Sequence, residues 1–168
     1  MADYKDPENT LLIETTKGLV VIEMRPDLAP NHVEHIKKLA REGKYDGVVF
    51  HRVIDGFMAQ TGDVKFGNSK NGDTSRAGMG GSDYPDLKQE FNAEPHVRGV
   101  VSMARSQNPN SANSQFFIVF DDARFLDRQY TVWGKVVDGM ENVDQIKRGE
   151  PVRDPDMMVS VKVAADAA

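Results

Sequence analysis

The sequence predicts a mainly β fold, an antiparallel barrel with two α-helices packed on it. Three observations lead there. Seven or eight short apolar runs carry strand character, only two stretches carry a helical period, and strands and helices do not alternate as a parallel crossover sheet requires. Closing an antiparallel sheet on itself also removes its unpaired edges.

The elements follow in order. Leu11–Glu14 and Leu19–Met24 flank Thr15-Thr16-Lys17-Gly18, the pattern of a hairpin, and Val20, Ile22 and Met24 share one face of the second strand. From Pro30, apolar residues recur at Val33, Ile36, Leu39 and Ala40 before Gly43, which predicts a helix of about three to four turns with proline in its first turn. Residues 47–54 return to strand character, Asp55-Gly56 turns the chain, and Phe57–Gln60 continues it. A polar, glycine-rich stretch then runs from Thr61 to about Pro85. So long a loop inside a compact fold implies a functional flap or an insertion. Gly78-Met79-Gly80-Gly81 lacks the preceding strand and following helix that a nucleotide loop needs. Further strands are expected at 99–104, 114–120 and 130–136. A second helix is expected over 140–148, with Met140, Val143 and Ile146 on one side, and a last strand at 159–163.

Composition sets limits. A chain of 168 residues has room for one domain, taken as residues 9–168 behind an N-terminal tail of residues 1–8, in which Asp3-Tyr4-Lys5-Asp6 resembles part of an epitope tag. With 39% hydrophobic and 28% charged residues, the chain is expected to be very soluble. A net charge of -5 argues against general nucleic-acid binding, and the absence of cysteine removes disulfides, thiol catalysis and cysteine-based zinc sites. No signal-peptide pattern or long apolar run is visible, so a cytoplasmic, non-membrane location is expected.

Strand parity points to a groove. In 114–120 it places Phe116, Ile118 and Phe120 in the core and turns Gln115, Phe117 and Val119 to the other face. Phe117 exposed beside Gln115 would suit the floor of a peptide groove; a helix packed over it is the competing expectation. In Val49–Val53, His51 and Arg52 face opposite ways. Burying a guanidinium costs more than burying a neutral imidazole, so His51 turns inward and Arg52 outward. His32 and His35 lie one helical turn apart without a third ligand in register, and a solvated helix face is expected there rather than a metal site. Lys37, Lys38, Arg41 and Lys44 are expected to form a solvated basic edge, and Trp133 core or groove wall.

The run Phe50-His51-Arg52-Val53-Ile54-Asp55-Gly56-Phe57-Met58-Ala59-Gln60-Thr61-Gly62-Asp63 resembles the signature of the cyclophilin peptidyl-prolyl isomerases. Ser102-Met103-Ala104, Asn113–Ile118, Phe125-Leu126-Asp127, Gly134-Lys135-Val136 and Asp138-Gly139-Met140 recur in that family's order, so the resemblance spans about residues 11–163. It implies a closed eight-stranded antiparallel β-barrel capped by two α-helices, and cis–trans isomerisation of Xaa-Pro bonds without cofactor or metal. Carried over by position, Arg52 hydrogen-bonds the prolyl region. Phe57, Met58, Phe117 and Leu126 form the proline pocket, Gln60 and Gln115 help place the peptide, and the backbone at Ala104 and Arg105 holds the residue before proline.

The chain departs from the family's usual pattern. Phe125 stands where a pocket tryptophan is common, Tyr130 where a histidine is common, and Arg105 where many members have asparagine; the first two changes resemble bacterial members. Without an indole N–H at Phe125, binding of cyclosporin-type macrocycles is expected to be weaker, while Tyr130 preserves an aromatic wall. The stretch 64–77 is longer than expected, and Met79 stands near a position often held by threonine. Expected partners are proline-containing peptides and unfolded or partly folded proteins, met by a monomer. A non-catalytic proline-binding chaperone or scaffold on the same fold is the alternative; Arg52, Phe57, Gln60 and Phe117 together favour the enzyme. A lipocalin-type ligand barrel would need an open interior, which bulky inward residues such as Phe116, Ile118 and Phe120 would fill.

Overall fold

The computed structural model of the chain describes residues 5–167, so the tag-like residues 3 and 4 lie outside the described part. Strands β1 (Thr10–Thr15) and β2 (Gly18–Met24) form the expected hairpin around Thr16-Lys17. Helix α1 (Pro30–Arg41) follows, with proline in its first turn. Then come β3 (Val48–Val49), β4 (Arg52–Ile54), β5 (Met58–Thr61), β6 (Val100–Met103), β7 (Phe116–Val119), β8 (Val132–Asp138), the short α2 (Met140–Val143) and β9 (Met157–Val163).

All nine strands join one antiparallel sheet in the order β3-β9-β1-β2-β8-β6-β7-β5-β4, curled into a half-barrel. This corrects the closed eight-stranded barrel expected from the sequence. The run 47–54 is not one strand: it breaks at Phe50-His51, so β3 pairs with β9 at one edge while β4 pairs with β5 at the other. No ladder joins β3 to β4. The segment 149–156 bridges the gap instead, through reciprocal Val53–Gly149 hydrogen bonds and the Phe50 amide donating to the Asp156 carbonyl.

The inner face of the sheet and the two helices enclose the main core. Phe116, Ile118, Val20, Ile22 and Met24 come from strands, and Val33, Ile36, Leu39 and Val143 from helices. Trp133 is fully buried there, edge-on to Phe116 at 5.4 Å, and is core rather than groove wall. The second helix is one turn long, not nine residues; Val143 and Ile146 are still buried, so the apolar spacing marked the packed side without sustaining the helix.

One expectation for α1 is overturned. His32 and His35 are buried, because the 84–90 segment lies across that face of the helix. His32 Nδ1 lies 2.6 Å from Glu90 Oε1, and His35 packs edge-on to Tyr84. Along the basic edge Lys38, Arg41 and Lys44 are exposed as expected, and only Lys37 is buried. Lys37 and Arg41 pair with Glu8, Arg41 also pairs with Asp166, and Lys38 sits 3.9 Å from the Tyr84 ring centroid. These contacts tie both ends of the described chain to α1. No helix among the described residues is long and apolar enough to cross a membrane, and none of their acidic, histidine or cysteine side chains cluster as a metal site.

Candidate functional site

Register builds the site. Arg52 pairs with Gln60, Gln60 with Phe117, and Phe117 with Ser102, so one row crosses β4, β5, β7 and β6 with all four side chains on the outer face of the sheet. Beside it, Ile54, Met58 and Val119 form a parallel row. His51, on the opposite parity to Arg52, is buried as expected, with its imidazole pushed down to about 4 by burial against the opposing pull of Asp63.

Over these rows lies an open cleft of ≈ 520 Å³, within the usual range for small-ligand sites. Phe57, Met58, Phe117, Leu126 and Tyr130 supply its apolar end. Arg52, Gln60 and Glu150 edge one side, and Ala104 and Arg105 another. Ala77, Gly78 and Met79 of the long polar loop close over it, which makes that loop a flap.

Phe117 differs from expectation. It is only 4% exposed, and neither solvent nor a helix covers it. The chain after β7, with a single 3-10 turn at Arg124–Leu126, folds back over the sheet's outer face. Met58, Val100, Phe117, Val119, Ala123, Leu126 and Val132 there form a second, smaller core. Phe117 therefore offers the cleft an edge of a packed ring, held edge-on to Tyr130 at 5.8 Å.

Two residues assigned to the site from sequence lie outside this cleft. Phe125 is 67% exposed on its outer margin, with its ring 5.7 Å from that of Phe57. Gln115 turns to the flap: its Nε2 donates to the carbonyls of Gly78 and Gly80, and its Oε1 accepts from Gln60 Nε2. Gln60 Oε1 in turn lies 3.4 Å from Arg52 Nη1. A polar chain thus runs from the guanidinium to the flap. The Arg105 guanidinium folds back over Tyr130, 4.6 Å from its ring centroid, and donates to the Gln129, Ser106 and Gln107 carbonyls. Ala104 and Arg105 both line the cleft.

Three participants were not singled out from sequence. Asp63 is fully buried, and its carboxylate accepts from four backbone amides: Lys65, Phe66, Gly78 and Gly80. It pins the flap to the end of β5; its place at the end of the Gln60–Asp63 motif was the available signal. His96 is buried under the cleft, stacked on Phe117, with Nδ1 at 3.1 Å from Asp127 Oδ1 and Nε2 at 2.9 Å from Ser102 Oγ. The order serine–histidine–aspartate is that of a hydrolase triad, but Ser102 and His96 are wholly buried and offer no nucleophile to solvent. Burial holds His96 below its usual pKa, against the pull of Asp127, so the ring is neutral and links the strand under Phe117 to the turn that covers it. The third is Glu150, whose carboxylate Oε2 lies 2.5 Å from Arg52 Nε.

Fold and site together define a curled-sheet protein with a shallow apolar cleft, Arg52 at its side and a flap above it. The chain belongs to the cyclophilin-type peptidyl-prolyl cis-trans isomerase family, whose model matches residues 10–165. It is 61% identical over 171 residues to a probable peptidyl-prolyl cis-trans isomerase of Brucella suis, covering 98% of this chain and 87% of that one. Among solved structures it resembles the cyclophilin AquaCyp293 from Hirschia baltica, at TM-score 0.84 and 35% identity over 97% of this chain and 76% of the other. It also resembles a Cryptosporidium parvum cyclophilin-type isomerase crystallised in the presence of the dipeptide Ala-Pro. There the TM-score is 0.79 and the identity 26%, over 92% of this chain and 98% of that one.

Proposed function

We propose that the chain catalyses cis–trans isomerisation of Xaa-Pro peptide bonds by stabilising the twisted amide without covalent chemistry. The row Arg52–Gln60–Phe117 carries this reading, because it sets a hydrogen-bond donor beside the apolar lining of the cleft. Amide resonance gives the bond a rotational barrier of roughly 18–20 kcal/mol. Twisting breaks that resonance, and the prolyl nitrogen becomes pyramidal and regains its lone pair. An Arg52 N–H aimed at this nitrogen gains a hydrogen bond available only in the twisted state, which lowers the barrier rather than merely tightening the complex.

The pocket of Phe57, Met58, Phe117, Leu126 and Tyr130 holds the ring, while the backbone at Ala104 and Arg105 holds the preceding residue as its carbonyl swings. Gln60 steadies the guanidinium. Gln115, together with Asp63, steadies the flap, and so acts on peptide placement through Gly78 and Gly80. Phe125 forms an outer lip. The Ala-Pro dipeptide named with the related Cryptosporidium structure supports proline-containing ligands here.

The same reading covers the wider setting: residues 9–168 as one domain behind a tail of residues 1–8, a monomer in the cytoplasm, and unfolded or partly folded proteins as clients. It includes no membrane or nucleic-acid partner, and weakened binding of cyclosporin-type macrocycles.

The test follows cis–trans exchange of a short Xaa-Pro peptide by NMR. Wild type is expected to accelerate exchange, and Arg52→Ala to lose on the order of 10²–10³-fold, as when one transition-state donor is removed. Binding without acceleration by wild type would overturn the enzyme and leave a proline-binding scaffold.

A further inference from the structure

The backbone on both sides of Glu150 is tied to the strand carrying Arg52. Val53 and Gly149 exchange two hydrogen bonds of 2.8 Å each, and the Val152 amide donates to the His51 carbonyl at 3.1 Å. The two attachment points straddle Arg52 on one segment and Glu150, in a turn, on the other, so the fold itself sets the carboxylate beside the guanidinium. Gly149 makes the approach possible. Its φ is +155°, and a Cβ there would lie 2.8 Å from the Pro151 carbonyl oxygen and the Val152 Cα. Glu150 and Pro151 both line the cleft.

Arg52 has a divided set of donors. Nε lies against Glu150 Oε2 at 2.5 Å, Nη1 faces Gln60 Oε1 at 3.4 Å, and Nη2 has no hydrogen-bond partner among the described residues. An arginine side chain held at one point can still rotate about its last bonds. Held at Nε and Nη1 on two sides, its guanidinium plane is fixed and the Nη2 edge remains for another acceptor.

We infer that Glu150 is a positioning residue for Arg52: it takes the Nε–H, fixes the guanidinium plane, and presents Nη2 to the cleft. This rests on the isomerase reading and deepens it. The Gln60 contact alone is long, so without Glu150 the guanidinium samples orientations in which no N–H meets the prolyl nitrogen. Both partners remain partly solvated, with side-chain exposures of 40% for Arg52 and 57% for Glu150. The effect is therefore that of an exposed ion pair, about three- to fivefold, rather than that of a buried one. It acts on the twisted state and so falls on kcat, because the apolar pocket binds the ring with or without it.

The experiment measures kcat and KM for a short Xaa-Pro peptide with the full chain in wild type, Glu150→Ala, Glu150→Gln, Arg52→Ala and the Arg52→Ala/Glu150→Ala double variant. Thermal unfolding serves as a check on fold. Glu150→Ala is expected to lose about three- to fivefold in kcat with KM changed less than about twofold. Glu150→Gln, which retains an acceptor for Nε–H, is expected to recover most of that loss. In the Arg52→Ala background the Glu150→Ala change is expected to have no further effect. An unchanged or raised kcat in Glu150→Ala would overturn the inference, a raised one marking Glu150 as a latch that withholds Arg52. So would an equal loss in both backgrounds. If Arg52→Ala itself retains wild-type activity, the isomerase mechanism fails first, and the two failures are told apart.

Discussion

Lowering the pH from 7 toward 4 is expected to destabilise this protein through its buried histidines, and His51 is the sharpest case. The ring is buried at the edge of the cleft, where Asp63, Arg52 and Gln115 act on it, and burial moves its pKa from 6.5 to about 4. Above pH 6.5 neither the folded nor the unfolded chain protonates this residue, and its contribution is fully present. Between 6.5 and 4 the unfolded chain binds the proton and the folded chain does not, so stability falls as pH falls. One proton corresponds to about 1.4 kcal/mol per pH unit; His51 alone then costs about 2 kcal/mol by pH 5 and roughly 3 kcal/mol by pH 4. His32, His35 and His96 are also held below their usual values by burial, so they act in the same direction from the same upper limit.

The assay is urea unfolding at half-unit steps from pH 7 to 4.5, for wild type and His51→Gln. The variant removes the titrating ring and is expected to flatten the dependence by about one proton below pH 6. The substitution also changes packing at pH 7, so the slopes rather than the absolute values are compared. An identical slope in both proteins would refute the assignment of a neutral, buried His51.

Two further outcomes follow from the site. Asp63→Ala leaves four amides without their acceptor, and a loss of roughly 3 kcal/mol is expected. Hydrogen exchange checks it: the Gly78 and Gly80 amides should lose protection more than those of β7, and unchanged protection would show that the flap is held by other means. Phe125→Trp adds an indole N–H at the outer lip of the cleft and is expected to raise cyclosporin affinity about fivefold, the equivalent of one net hydrogen bond, measured by calorimetry.

Much of the candidate site was legible in the sequence because it is a matter of strand parity. A period of two turns His51 in when Arg52 turns out, and puts Phe117 on the face opposite Phe116; both held without reference to any neighbour. Parity does not say what lies above a face. Phe117 was expected to be open and is instead covered by a returning turn, and His32 and His35 were expected in water but lie under the 84–90 segment. Helix period likewise marked Val143 and Ile146 as buried without showing that the helix ends at Val143.

The alternation around Arg52 thus determined, by itself, which strand faces could build a cleft, and the ordered motifs determined the family. Only the tertiary structure decided how the cleft is held. Nine strands stay open between β3 and β4 because the run at Phe50-His51 breaks, and the segment 149–156 that bridges the opening brings Glu150 to Arg52. Asp63 reaches amides up to 17 residues further along the chain, and Gln115 spans 35 to Gly80. Such contacts depend on where two distant backbones come to rest, and local periodicity carries no record of that.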